Sequence, residues 1–345
     1  MRDITRYQRN INRGLDKALM EAPSLQMDLR SARLIVFSDH HRGKGDEADD
    51  FRFSMPAYMA ALDHYLDAGH TLLVLGDVEE LWENSPNPVL EQYPVVMERE
   101  NEFHKRNHYW RFWGNHDDEW RNPSQVKKYL NPYFEDIVVH ESLHLRMMEA
   151  EGQLGEILFV HGHQGTLASD RLGWLTRILI RFIWRPLQRF FKIMPNTPAT
   201  DWRLRCRHDV AMYNWAAEKQ GLILIVGHTH HPIFPSSSHV VRLAEDYRSV
   251  KDISVDPEEI LQARADMEFA QAQEKPSYFN SGCCCFNDGR ITGLEIIEGE
   301  IRLIRWPDDI GRPLPEVLES ADLRDVFHNV AQRGAPISIP EGLKS

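Results

Sequence analysis

The apolar positions of this chain fall into short unbroken runs rather than long alternating stretches. Leu34-Ile35-Val36-Phe37 and Leu72-Leu73-Val74-Leu75 read as strands, and Leu222-Ile223-Leu224-Ile225-Val226, ended by a glycine, as a strand buried on both faces. In the first half, Arg33–Phe37, Thr71–Leu75 and His108–Trp113 are predicted strands. Helical stretches around Ser54–Ala68 and Val89–Lys105 separate them, with Pro86 and Pro88 breaking the chain before the second. Strand, helix and strand at near-equal intervals predict βαβ units and a mostly parallel sheet. In the second half, Ile137–Met147 and Glu156–Val160 read as two strands joined by an acidic, glycine-containing turn. A charged helical segment near Asp256–Gln273 precedes an apolar run at Tyr278–Phe286. A hairpin, Ile291–Ile297 and Ile301–Trp306, turns at Glu298-Gly299-Glu300.

Organisation follows from these elements. Residues 1–30 are expected to form an N-terminal helical extension lying on the main domain. Residues 31–306 form that domain, with helical insertions at 165–220 and 240–275, and residues 307–345 form a proline-rich, loosely held tail. There is no internal repeat. Length allows one large or two ordinary domains. Hydrophobic residues at 42% and charged residues at 27% mark a soluble globular chain. A formal charge of −12 argues against a protein that coats nucleic acid, so no stable nucleic-acid partner is expected. No apolar stretch reaches about 18 residues, and the first residues lack the apolar core of a signal peptide. Of four cysteines, Cys283, Cys284 and Cys285 are consecutive, which fits neither a disulfide framework nor a zinc spacing. Small buried thiols in a reducing cytosol are the expectation.

What changes the picture is the residue type that follows each strand. Asp39 and His41, Asp77, Asn115 and His116, His161, then His228 and His230 all stand just past predicted strand ends. Open α/β sheets place ligands there. In an extended turn, residues two apart point the same way, so His228 and His230 can converge on one centre. Carboxylate, amide and imidazole without thiolate suit divalent manganese foremost, then iron or zinc. Asp39, His41, Asp77, Asn115, His161, His228 and His230 are too many for one ion and suit two ions sharing a carboxylate. Taken singly, each is better read as a capping aspartate or a hydrogen-bonded loop histidine; five such clusters, each directly after a predicted strand, are what point to metal.

Asp39-x-His41, Gly76-Asp77, Gly114-Asn115-His116-Asp117, His161 and Gly227-His228-x-His230 together resemble, in order, the signature blocks of calcineurin-like metallophosphoesterases. The resemblance implies a four-layer αββα sandwich of two mixed β-sheets flanked by helices. It also implies that Asp39, His41 and His230 hold one ion, Asn115, His161 and His228 the other, and that Asp77 bridges them. A hydroxide trapped between two such ions would attack phosphorus in line, without a phosphoenzyme. His116 matches the family's general acid. Glu80 sits where related enzymes keep a carboxylate that orients this histidine, although a salt-bridged surface role fits it too. Arg42, beside the Asp39/His41 pair, is placed to bind a phosphate oxygen bidentately. His40, His163 and His231 are left outside the ligand set, with His163, where one branch has aspartate, either supporting a ligand from behind or binding metal as a minor ligand.

The basic segment from Arg171 to Lys192 bears on substrate. It carries Arg171, Arg177, Arg181, Arg185, Arg189 and Lys192 and no acid. Arg177, Arg181 and Arg185 recur along one helical face, beside Trp174, Ile178 and Phe182. This composition suits peripheral contact with an anionic membrane or an acyl chain, and equally a cap packed on the core. Its size and place are similar to the cap of the UDP-2,3-diacylglucosamine hydrolases, which cleave a pyrophosphate in a lipid-linked nucleotide. Those enzymes commonly have arginine where this chain has His116, and aspartate where it has His163. The expected activity is hydrolysis of a phosphomonoester, phosphodiester or pyrophosphate, with lipid-linked and nucleotide compounds among the candidate substrates, in the cytoplasm, with a peripheral place at the inner membrane face as one option. The alternatives are a protein phosphatase, a DNA- or RNA-processing nuclease, or a non-catalytic metal-binding scaffold. A protein phosphatase would usually have an arginine soon after Gly76-Asp77, and Val78–Trp82 contains none.

Overall fold

A computed structural model describes residues 2–47, 49–150, 152–166, 201–253, 256–332 and 334–338. The first half contains α1 (Arg2–Glu21), β1 (Ser24–Asp28), β2 (Arg33–Phe37), α2 (Phe51–Asp67), β3 (Thr71–Leu75), α3 (Pro86–Leu90), α4 (Pro94–Lys105) and β4 (Tyr109–Phe112). A 3-10 turn, Asp118–Arg121, leads to α5 (Pro123–Tyr129), β5 (Val139–His140), β6 (Ser142–Glu149) and β7 (Gly152–Val160). Then come α6 (Trp202–Ala217), β8 (Leu222–Val226), α7 (Ser237–Ile253), α8 (Pro257–Ala272), β9 (Tyr278–Asn280), β10 (Ile291–Ile297), β11 (Glu300–Trp306), β12 (Glu316–Asp322) and α9 (Leu323–Val330).

Two mixed sheets face each other between helical layers. The larger has the order β12-β11-β10-β2-β3-β4-β5, the smaller β1-β6-β7-β8-β9. β2, β3, β4 and β5 run parallel, as do β7, β8 and β9. The unbroken apolar runs are explained by burial on both faces. Leu34 and Val36 of β2 point into the inter-sheet core with Ile157, Phe159, Ile223 and Ile225 of the smaller sheet. Ile35 and Phe37 point outward onto Tyr58, Ala61 and Leu62 of α2. Leu158, Leu224 and Val226 cover the other outer face against Ile11 and Leu15 of α1 and Val210 of α6. Each such side chain contributes roughly 1.5–3 kcal/mol by leaving water. Truncating fully buried Phe159 to alanine would cost about 3–5 kcal/mol.

The β10–β11 hairpin closes through Glu298 and Gly299, with φ of 55° and 85°, and pairs Ile297 with Glu300. Positive φ at both loop residues is what a twist-matched two-residue turn demands.

Four expectations need correction. The segment 24–28, counted with the N-terminal helix, is strand β1, paired parallel with β6. Ile137–Met147 is not one strand. It crosses between sheets at Glu141, β5 pairing with β4 and β6 with β7. Residues 202–217, counted with the cap, are α6 in the outer helical layer. The supposed loose tail supplies β12, paired with β11, and α9, whose Leu323, Val326, Phe327 and Val330 complete the inter-sheet core. Gly155 is required there, because a Cβ on it would stand 2.1 Å from the Phe327 ring. The basic segment Arg171–Lys192 lies outside the described residues. Among the described residues no helix is long and apolar enough to cross a membrane.

Candidate metal centre

Five strands, β2, β3, β4, β7 and β8, deliver their following residues to one edge where both sheets end. The local backbone is unusual there. Asp39, His41, Asp77, His228 and His230 all have positive φ, between 49° and 69°. Non-glycine residues pay for this conformation, and such strain gathers at functional sites. The turns hold because they are tied to one another. Asp39 N–H donates to the Gly76 carbonyl, His41 N–H to that of Asp77, and Glu80 N–H to that of Arg42. Two glycines permit the close approach. A Cβ on Gly114 would lie 2.1 Å from Asp77 Oδ1, and one on Gly227 2.4 Å from Asp39 Oδ2.

Each carboxylate is fixed by one oxygen and presents the other. Asp39 Oδ2 accepts from His228 N–H at 2.8 Å, and Asp77 Oδ1 from His116 N–H at 2.8 Å. Asp39 Oδ1 then faces His230 Nε2 at 3.3 Å, while Asp77 Oδ2 faces His161 Nε2 at 3.1 Å and His41 Nε2 at 3.8 Å. His161 Nδ1–H donates to the Leu75 carbonyl at 2.6 Å, which turns Nε2 inward, 3.2 Å from Asn115 Oδ1. Asp39, His41 and His230 form one converging group, and Asp77, His161 and His228 another. All seven residues singled out as ligands in the sequence meet at this edge.

The donor atoms fit cations. Among the described residues, Asp39 Oδ1 and His228 Nε2 are buried without a hydrogen-bond partner. His41 Nε2 and His230 Nε2 stand 3.0 Å apart, nitrogen to nitrogen. Burial opposes a charged ring at His161, yet the carboxylates of Asp77 and Asp39 carry its pKa up to about 9. Two inward-facing carboxylate oxygens among imidazole nitrogens are a donor set that suits a divalent cation.

Glu80 and His116 form the flank. Glu80 Oε2 accepts from His116 Nδ1 at 2.7 Å and meets His41 Nδ1 at 3.0 Å. Burial disfavours both charges, but Glu80 and Asp77 lift His116 to about 10, and His116 draws Glu80 down to about 2. Sequence reasoning missed Trp82, whose ring stacks on His116 at 4.0 Å and 18°. Its position five residues past Asp77 was the available signal. Asp117, which stands in the signature block with no role assigned, accepts from the N–H groups of Gly114 and Val78, and His208, which sequence reasoning missed, is bonded through Nε2 to the Gly162 carbonyl behind His228. Asn280, too, was overlooked; it donates to the Gly227 carbonyl and so fixes the His228 turn.

Arg42 is not at this edge, contrary to expectation. Its guanidinium is 1% exposed and ion-paired with Glu100, over the rings of Phe51 and Tyr58. Of the excluded histidines, His40 is enclosed by Phe51 and Tyr58, and burial holds it neutral. His231 turns to Asp266 at 3.7 Å. His163 is buried between Trp113 and His161, and burial lowers its pKa to about 3.

No curated protein matches the chain. The calcineurin-like phosphoesterase family model matches residues 32–232, which runs from the first strand of the site through the last of its histidines. Two mixed sheets between helices, with a carboxylate–imidazole centre where their parallel strands end, agree with that match. The chain belongs to the calcineurin-like phosphoesterase family and is a metal-dependent phosphoester hydrolase.

Proposed function

We propose that this enzyme cleaves phosphoesters with a poor leaving group, a diester or pyrophosphate in a nucleotide or lipid-linked substrate, in one direct attack by water. Asp39, His41 and His230 would hold one divalent ion, Asn115, His161 and His228 the other, with Asp77 between. When bound, the ions supply positive charge that makes water more acidic and neutralises the phosphoryl oxygens. The protein's own part is placement and proton transfer. Backbone N–H groups pin one oxygen of each aspartate so that the other cannot swing out of the centre. Glu80 accepts from His116 Nδ1–H and, with Asp77, favours the charged ring, whose Nε2–H is then the proton available to a leaving oxygen. Trp82 fixes the plane of that ring.

The pairing of His116 with Glu80 beside the ligand cluster is the observation that supports a protonated leaving group most directly. The basic, acid-free segment Arg171–Lys192 supports a substrate with an apolar or membrane-associated part. Hydrolysis rates on monoesters, diesters and pyrophosphates, with manganese, iron or zinc added, test the reading. Turnover of diesters or pyrophosphates with about two ions per chain is expected. Activity confined to activated monoesters, or retained with no metal bound, would overturn it.

A further inference from the structure

The thiols take no part in the reaction proposed above, yet three of them stand beside it. Cys284 N–H bonds to the carbonyls of Ser38 and Asp39, 3.1 Å each, and its side chain is buried among Phe37 and Tyr58 on the outer face. The run alternates, so Cys283 and Cys285 face the other way, toward His230. Their sulfurs and a ring nitrogen of His230 lie within 4.8 Å of one another. Cys285 Sγ is 3.9 Å from His230 Nδ1, whereas His230 Nε2 looks to Asp39 and His41. One imidazole therefore stands between two donor sets of different chemistry.

The set on the Nε2 side is oxygen and nitrogen. That on the Nδ1 side is two sulfurs and a nitrogen, which selects soft ions such as zinc or cadmium over manganese or magnesium. Cys283 is buried and Cys285 partly exposed, which gives an ion a way in. Three donors leave a fourth position for water, an accepted zinc arrangement.

We propose that Cys283, Cys285 and His230 Nδ1 form a separate thiophilic metal site whose occupant competes with the catalytic metal for His230. Binding releases the two thiol protons and forms two sulfur–metal bonds. A neutral imidazole has one lone pair to give, and serving both ions requires loss of its remaining N–H proton. Occupancy of the two sites is consequently antagonistic, and soft ions inhibit. The binding half stands without the catalytic reading; the inhibition rests on it.

Cadmium titrated into the reduced full chain separates the two halves. Sulfur-to-cadmium charge transfer is visible in the ultraviolet, and oxygen or imidazole donors give no such band. The band should saturate at about one ion per chain. Cys283→Ser and Cys285→Ser should each weaken it at least about tenfold, the least that even an outer partner of a metal contributes. Cys206→Ser and Cys284→Ser should leave it. It should persist in Asp77→Asn, which disables the catalytic centre alone, so failure of the catalytic reading leaves this result standing. The cadmium concentration for half-inhibition should rise about tenfold in Cys283→Ser. No band in the wild type overturns the site, and this needs no variant to fold. A band unchanged in both serine variants overturns it equally. Loss of the two thiols to a disulfide on mild oxidation, with no band after reduction, makes the pair a redox couple and ends the metal reading. Equal inhibition of wild type and Cys283→Ser ends the antagonism.

Discussion

Two clusters of buried charge lie close together behind and in front of the same loop, and they are built on opposite principles. Arg42, Glu79, Glu100 and Arg111 are each no more than 1% exposed and carry two charges of each sign. Arg111 reaches Glu79 at 2.6 Å, Trp120 Nε1 donates to Glu79 at 2.9 Å, and Tyr58 donates to Glu100 at 2.9 Å. Burial works against the charges of Glu100, Arg42 and Arg111, but attraction prevails, lowering Glu100 and raising Arg42 and Arg111. At the metal edge the carboxylates converge with no arginine among them in the described residues, and there Asp39 Oδ1, which faces the His230 ring, and His228 Nε2 make no hydrogen bond. Charge that is matched within the chain braces the fold. Where it is left unmatched, it suits a cation. The brace also serves the centre, since Arg42 and Glu79 lie on the two paired loops that carry His41 and Glu80.

The largest effect that separates the clusters should come from Asp77→Asn. We expect kcat to fall by at least about 10³-fold, comparable with losing a dominant electrostatic stabiliser. Elemental analysis should show lost metal, while circular dichroism stays that of the wild type. Glu100→Ala should do the reverse. It leaves Arg42 buried without its partner and costs about 3–5 kcal/mol in denaturant unfolding, with kcat of the folded fraction kept. Should kcat collapse in Glu100→Ala at full metal content, the brace would be part of the catalytic geometry and the contrast would fail.

A smaller effect sharpens the metal side. His116→Ala should slow substrates with poor leaving groups about 10²-fold and activated aryl esters far less, with metal content unchanged. Equal losses on both would assign His116 to phosphate or metal positioning. The smallest effect is in pH. His116 titrates at about 10 in the folded chain and near 6.5 when unfolded. Its pairing with Glu80 therefore stabilises the metal-free protein fully below about pH 6.5 and is lost as pH rises through about 10. The gap in Tm between wild type and His116→Ala, both chelated, should narrow from pH 7 to pH 10; a constant gap would remove the pairing from the account.

Much of this centre was legible because its strands are buried on both faces and their ligands follow at once. The apolar runs before Asp39, Asp77 and His228 announce themselves, and Asp-x-His or His-x-His fixes which side chains converge. Arg42 misled because adjacency in sequence gives no direction. With positive φ at Asp39 and His41, the chain turns and the next side chain leaves by the opposite face. β12 was invisible for another reason. Glu316–Asp322 is an edge strand with one fully buried residue, Glu319, so it lacks apolar alternation. The helix after it did carry a signal in Leu323, Val326, Phe327 and Val330, whose spacing marks one buried face. The roles of Trp82 and Asp117 were hidden because stacking and loop capping depend on neighbours that only the folded chain assembles.

The notch at Gly155 has a consequence for how the chain is made. Phe327 fills it, and Leu294, Ile296, Ile301, Leu303, Leu323, Val326 and Val330 join the same inter-sheet core. Every one of them is synthesised after His230, the last of the site's histidines. β2, near the start, must also wait for β10, since Val36 pairs with Leu294. A ribosome thus releases the complete ligand set well before the wall behind it can close. Contacts so far apart in sequence form slowly.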